Sequence, residues 1–99
     1  MSPELEKTEN AIQGQRDRLY RLAGEKKPVG ILQIEYKRAV ELMAQKFQLL
    51  TASLDGQKAA LAPEAYETAL KGLKDSFKND IVSLAVAVDE AAGLDPLAS

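Results

Sequence analysis

Cysteine is absent from this chain, and so is histidine. Without cysteine there are no disulfides, no thiolate nucleophile and no cysteine-built zinc site. Without histidine the commonest general base and the commonest transition-metal ligand are gone. Tryptophan is missing too, and only five residues are aromatic. Proline is scarce, and β-branched residues are few outside one short run. A formal charge of −2 does not suit tight nucleic-acid binding, which needs several cations set against phosphate. The longest apolar stretch, Ile81–Val88, is eight residues and far short of a membrane span. The N-terminal MSPELEKTEN is polar and carries three Glu, unlike a signal peptide. The expected location is therefore the cytosol, of a cell or of an infected host.

What is present favours helix. Ala, Leu, Glu, Lys and Gln dominate. Hydrophobic residues make up 45% and charged residues 28%, the balance of a folded soluble chain rather than a disordered one. The 99 residues fit a single helical domain with a small core.

The strongest pattern lies at 63–93. Tyr66, Leu70, Leu73, Phe77, Ile81, Leu84 and Val88 recur at steps of three and four, the period of a helix. Pro63 suits a first turn, where its missing N–H costs nothing, and Glu64 and Glu67 suit the positive helix end. Gly93 is the expected stop, with Leu94 placed for the hydrophobic contact that follows it. At 1.5 Å per residue this helix spans roughly 46 Å, more than the diameter of about 35 Å of a compact chain of this size. It must either kink, with Gly72 the candidate, or make the molecule elongated. Within it, Ile81–Val88 is apolar on nearly every side, which calls for cover on every side. A strand reading of 81–88 competes, because Val82, Leu84, Val86 and Val88 alternate. No second run exists to pair with it, so its hydrogen bonds would have no partners.

Upstream, Leu32, Tyr36, Ala39, Met43, Phe47, Leu50 and Leu54 form one stripe of a helix at 31–54. Ile31, Leu42, Leu49 and Ala52 form a second, so the apolar arc is broader than a hairpin seam requires. Asp55-Gly56 ends it. Ser2-Pro3-Glu4 opens an N-terminal helix at 3–23, with Ser2 as cap and Gly24 as stop. Its stripe of Leu5, Ile12, Leu19 and Leu22 is thin, and Thr8 and Gln15 interrupt the seam. Gly24–Gly30 reads as a loop punctuated by Pro28. Asp95-Pro96 begins a short non-helical tail. The fold expected is all-α: an antiparallel hairpin of helices 31–54 and 63–93 with an N-terminal helix 3–23 laid across. The second stripe and the 81–88 patch call for burial between chains, so a homo-oligomeric bundle, a dimer or higher, is expected. Residues 1–50 carry nine Lys/Arg against seven Asp/Glu, and residues 51–99 four against eight, a modest asymmetry that suits head-to-tail or antiparallel association.

No catalytic constellation emerges. Ser53, Ser76 and Ser83 lack a histidine to activate them, and paired carboxylates would need a pocket that three helices of this size rarely enclose. The acids Asp75, Asp80, Asp89, Glu90 and Asp95 match no calcium loop. Neither a cofactor nor a metal is expected. Lys26-Lys27 precedes a helix and could meet an anion there, but the loop lacks the P-loop spacing. Arg16, Arg18, Tyr20, Arg21, Lys26 and Lys27 are the candidate contacts for an acidic partner or an anion. As a local basic and aromatic group they would also suit a nucleotide, except that Arg16, Arg18 and Arg21 do not share a helix face and Asp17 and Glu25 intervene. Ile31, Leu42, Leu49, Val82 and Val86 are the candidates for self-association. Tyr36, Met43, Phe47 and Tyr66 lie on the seams and read as core. Small secreted helical hairpins of this length carry Trp-x-Gly in the turn; here the turn is Leu54-Asp55-Gly56, and that resemblance fails. The expected function is a non-enzymatic protein-binding module, an adaptor, chaperone or inhibitor of bacterial or phage type. The alternatives are a self-assembling structural subunit and an oligomer that sequesters a small anion or nucleotide.

Overall fold

A computed structural model of the protein describes residues 3–93. It contains three helices, α1 (Pro3–Gly24), α2 (Val29–Gly56) and α3 (Pro63–Ala91), and a single 3₁₀ turn (Lys58–Ala60) between α2 and α3. The expected cap at Ser2, the contact at Leu94 and the tail beginning at Asp95 lie outside the described residues.

The hairpin of α2 and α3 is antiparallel. Tyr36 meets Ile81, Phe47 stacks on Phe77 with ring centres 5.1 Å apart, and the Tyr66 hydroxyl donates to Asp55 near the turn. α1 runs antiparallel to α2, because Gln15 meets Glu35 while Glu9 meets Lys46. α3 passes Gly72 without a break. The molecule is accordingly elongated, with Cα extents of 50 × 30 × 16 Å and a radius of gyration of 16.1 Å. α2 and α3 form a two-helix slab, and α1 packs against both of them. Residues 81–88 are helical, so the strand reading is wrong. A lone strand would have left its backbone unpaired, whereas the helix satisfies itself.

Helix ends depart from expectation in informative ways. α2 begins at Val29, two residues before the sequence reading placed it. Pro28 is extended at ψ 144, and its carbonyl accepts from the N–H groups of Ile31 and Leu32. Gly30 thus joins the first turn instead of breaking the chain. α1 does not stop on a left-handed Gly24. The left-handed residue is Lys26, at φ 59. The Lys27 N–H reaches the Leu22 carbonyl and the Lys26 N–H the Ala23 carbonyl, the paired bonds of a Schellman closure. At the far end Gly93, at φ 76, closes α3 as the sequence predicts, two residues past its last helical residue. The Lys26 ammonium lies 2.8 Å from where a Cβ on Gly93 would sit. It places a positive charge at the negative end of α3.

The core is small. Ile12, Leu19 and Ala23 of α1 meet Leu32, Ala39 and Met43 of α2 and Leu84 and Val88 of α3. α3 buries only those two residues, although it is the longest helix. Its stripe from Tyr66 to Ile81 stays half-buried, because α1 does not cover the hairpin out to its turn.

Candidate interaction surface

The α2–α3 slab has two faces of different character. One is covered by α1. There the register is fixed by a buried carboxylate. Glu35 is 5% exposed and sits at the core spacing of α2, between Leu32 and Ala39. Gln15 Nε2 donates to its Oε2 at 2.7 Å and to its carbonyl at 2.9 Å. Arg18 Nε donates to the same Oε2 at 3.0 Å, and Arg38 Nη1 to Oε1 at 3.3 Å. The Gln15 hydrogen bond, helped by Arg18 and Arg38 and opposed by burial, holds the Glu35 carboxyl below the usual glutamate range. Lys46 and Glu9, 3.6 Å apart, add a second tie. Leu42 packs against the core on this side, and Leu42 and Leu49 line a shallow saddle with Lys7, Thr8 and Ala11 of α1. Ile31 shares their helical face by spacing and is 43% exposed.

On the other face is an open groove of about 190 Å³ that no described residue of α1 lines, between the start of α2 and the end of α3. Its walls are Val29, Leu32, Gln33 and Tyr36 on one side and Ala85, Val88 and Asp89 on the other. The Tyr36 hydroxyl donates to the Ile81 carbonyl at 3.4 Å and ties the two helices together. Burial, reinforced by the Asp89 charge, pushes the Tyr36 hydroxyl above its ordinary pKa. Beside the groove, Val82 and Val86 fall on the same face of α3 as Ala85 and Asp89, at helical spacing. Val82 is 53% exposed and Val86 38%, and Val29 on the α2 side is 52% exposed. Val29 thus stands in solvent on the groove wall, and Val82 and Val86 stand in solvent on the adjoining side of α3.

The six basic and aromatic candidates do not converge. Arg16 lies over the Tyr20 ring, 6.0 Å from its centre, on the flank that lines a small gap with Phe77 and Asp80. Arg18 turns the other way, onto Glu35. Arg21 is exposed on the outer side of α1. Lys26 reaches the end of α3, and Lys27 stands 4.0 Å from Glu25. Helical geometry separates Arg16 from Arg18 and Arg21, and of the latter two Arg18 is taken up by Glu35.

Sequence reasoning missed Glu35. Two signals were available: a charged residue on the core stripe of α2, and Gln15 at a seam position of α1. Each marks a polar group that must find a partner when buried. The gap beside Arg16, about 80 Å³, and the groove are both smaller than the ~300–1,000 Å³ of typical small-molecule sites, whereas the saddle between α1 and α2 reaches about 510 Å³ as an open depression. Among the described residues no cluster of acidic side chains could hold a metal ion, and no helix is long and apolar enough to cross a membrane. No protein-family model, no curated protein and no solved structure matches this chain.

Proposed function

We propose that the protein is a non-enzymatic protein-binding module that works through the open face of its α2–α3 slab. The observation that carries this reading is the exposure of Val29 on the wall of an apolar groove that no α1 residue lines, with Val82 and Val86 exposed on the adjoining side of α3. Exposed branched side chains grouped at one site favour a protein partner, because covering them returns the hydrophobic contribution that the fold leaves unused. The dispersal of the basic side chains argues against the anion-sequestering alternative, which needs several cations on one ligand.

The test is a photo-crosslinking amino acid placed at position 82 or at position 21, in the producing cell. The reading predicts discrete covalent protein adducts at position 82 and none at position 21. Adducts at 21 alone would move the function to the outer side of α1 and overturn this reading, as would the absence of any adduct at 82.

A further inference from the structure

The charges that flank the open face specify what covers it. On α3, Lys78, Val82, Ala85, Val86 and Asp89 recur at steps that keep them on one side of the helix. Lys78 and Asp89 bracket small apolar residues, and beyond Lys78 the same side continues through Asp75 and Lys71. Lys78 is exposed and Asp89 half-buried. Among the described residues, neither takes part in an ion pair within the chain; the four pairs present involve Glu9, Arg18, Glu25, Lys27, Glu35, Arg38 and Lys46. Asp89 lies close enough to Tyr36 for its charge to be felt there, so it borders the groove as an anion without a cation.

Such a row is complementary to itself in one orientation only. Laid against its own copy in parallel, it sets Lys78 against Lys78 and Asp89 against Asp89. Laid antiparallel about a two-fold axis between residues 83 and 84, it sets Lys78 of each copy against Asp89 of the other. Val82 then meets Ala85. A two-fold contact of this kind is closed, so it stops at two copies. The short side chains at its centre permit close approach of the two helices, at the 8–10 Å typical of packed pairs. The two α3 helices would also run with opposed dipoles.

We propose that a second copy of this chain covers the open face, through an antiparallel α3–α3 contact centred on Val82, Ala85 and Val86 and oriented by Lys78 and Asp89. This rests on the reading of that face as a protein-binding surface and names its partner.

The absence of native cysteine makes the orientation measurable. Single variants Lys78→Cys and Asp89→Cys are treated with a short bis-maleimide, each alone and as a mixture. In the antiparallel pair, like positions lie about 16 Å apart along the axis, from eleven residues at 1.5 Å each, beyond a short linker. The mixture is therefore expected to cross-link and each variant alone to remain uncross-linked. Lys78→Glu is expected to weaken self-association about tenfold, since it replaces two exposed ion pairs by repulsions, and Lys78→Glu with Asp89→Lys to restore it. Cross-linking of each variant with itself would overturn the antiparallel geometry. No cross-linking in the mixture would overturn self-pairing altogether. In that case adducts from position 82 to a different protein would leave the binding-module reading standing, whereas no adduct there would remove both.

Discussion

The two faces of the α2–α3 slab are made by the same two helices and are finished in opposite ways. On the α1 side the apolar contribution of α1 itself is slight, with Ile12, Leu19 and Ala23 its only buried residues. Polar bonds set the register there, with Gln15 and Arg18 converging on Glu35. On the other side apolar groups are exposed, and the charges at the ends of the row have no partners within the described chain. A buried ion network contributes little net stability and suits a contact that must form in one register. Bare apolar surface supplies affinity, and its flanking charges supply orientation. An interface finished within the chain and one awaiting a partner can therefore be told apart by where their polar groups are satisfied.

Variants on each face sharpen this contrast, and the largest effect belongs to the covered side. Leu19 and Leu84 are 0% and 1% exposed, on α1 and α3. Leu19→Ala or Leu84→Ala is expected to destabilise the fold by about 2–5 kcal/mol in urea titration. Val82→Ala, on the open face, should cost within about 0.5 kcal/mol under conditions where the chain is a single copy. Equal losses at positions 19 and 82 would erase the distinction between the faces.

Next comes Glu35. Its carboxyl is held below the usual glutamate value, so the folded state favours the charged form. That stabilisation is present in full above the ordinary glutamate pKa and is lost as pH falls through the lowered folded value. Glu35→Gln should therefore melt below the wild type at neutral pH, and the two melting temperatures should converge on acidification. A gap that stays constant with pH would show that the carboxylate charge does not hold α1 in register.

A smaller effect is expected at Lys26, whose φ of 59 suits glycine better than any side chain. Lys26→Gly relieves the backbone and gives up the charge at the end of α3. The expected net gain is roughly 0.5 kcal/mol, read as a small rise in the urea midpoint. A loss would show that the Lys26 charge outweighs the backbone relief.

The periodicity of 31–54 and 63–93 carried the hairpin, because a stripe at steps of three and four has one helical solution. Gly93 was legible for the same local reason, as a glycine past the last periodic residue. The closure at Lys26 was not legible, since nothing marks a lysine as left-handed before its hydrogen bonds are known. Of the candidate surfaces, Val82 and Val86 could be named from the sequence as apolar residues in excess of one seam. Leu42 and Leu49 stand on a stripe that looked equally spare, yet α1 of the same chain lies along it. Which stripe α1 takes is a tertiary choice. Gln15 and Glu35 pair where α1 lies on α2, across twenty residues that no local pattern connects.

The central claim is that the open face closes on a second copy. Light scattering on a size-exclusion column, at two protein concentrations, addresses it directly for the wild type and for Val82→Glu with Val86→Glu. The account predicts a wild-type mass of twice the 10.8 kDa of one chain, at least at the higher concentration, and a folded double variant at the mass of one chain. A wild type that stays at the single-chain mass at both concentrations, or a double variant that dimerises as well as the wild type, would contradict it.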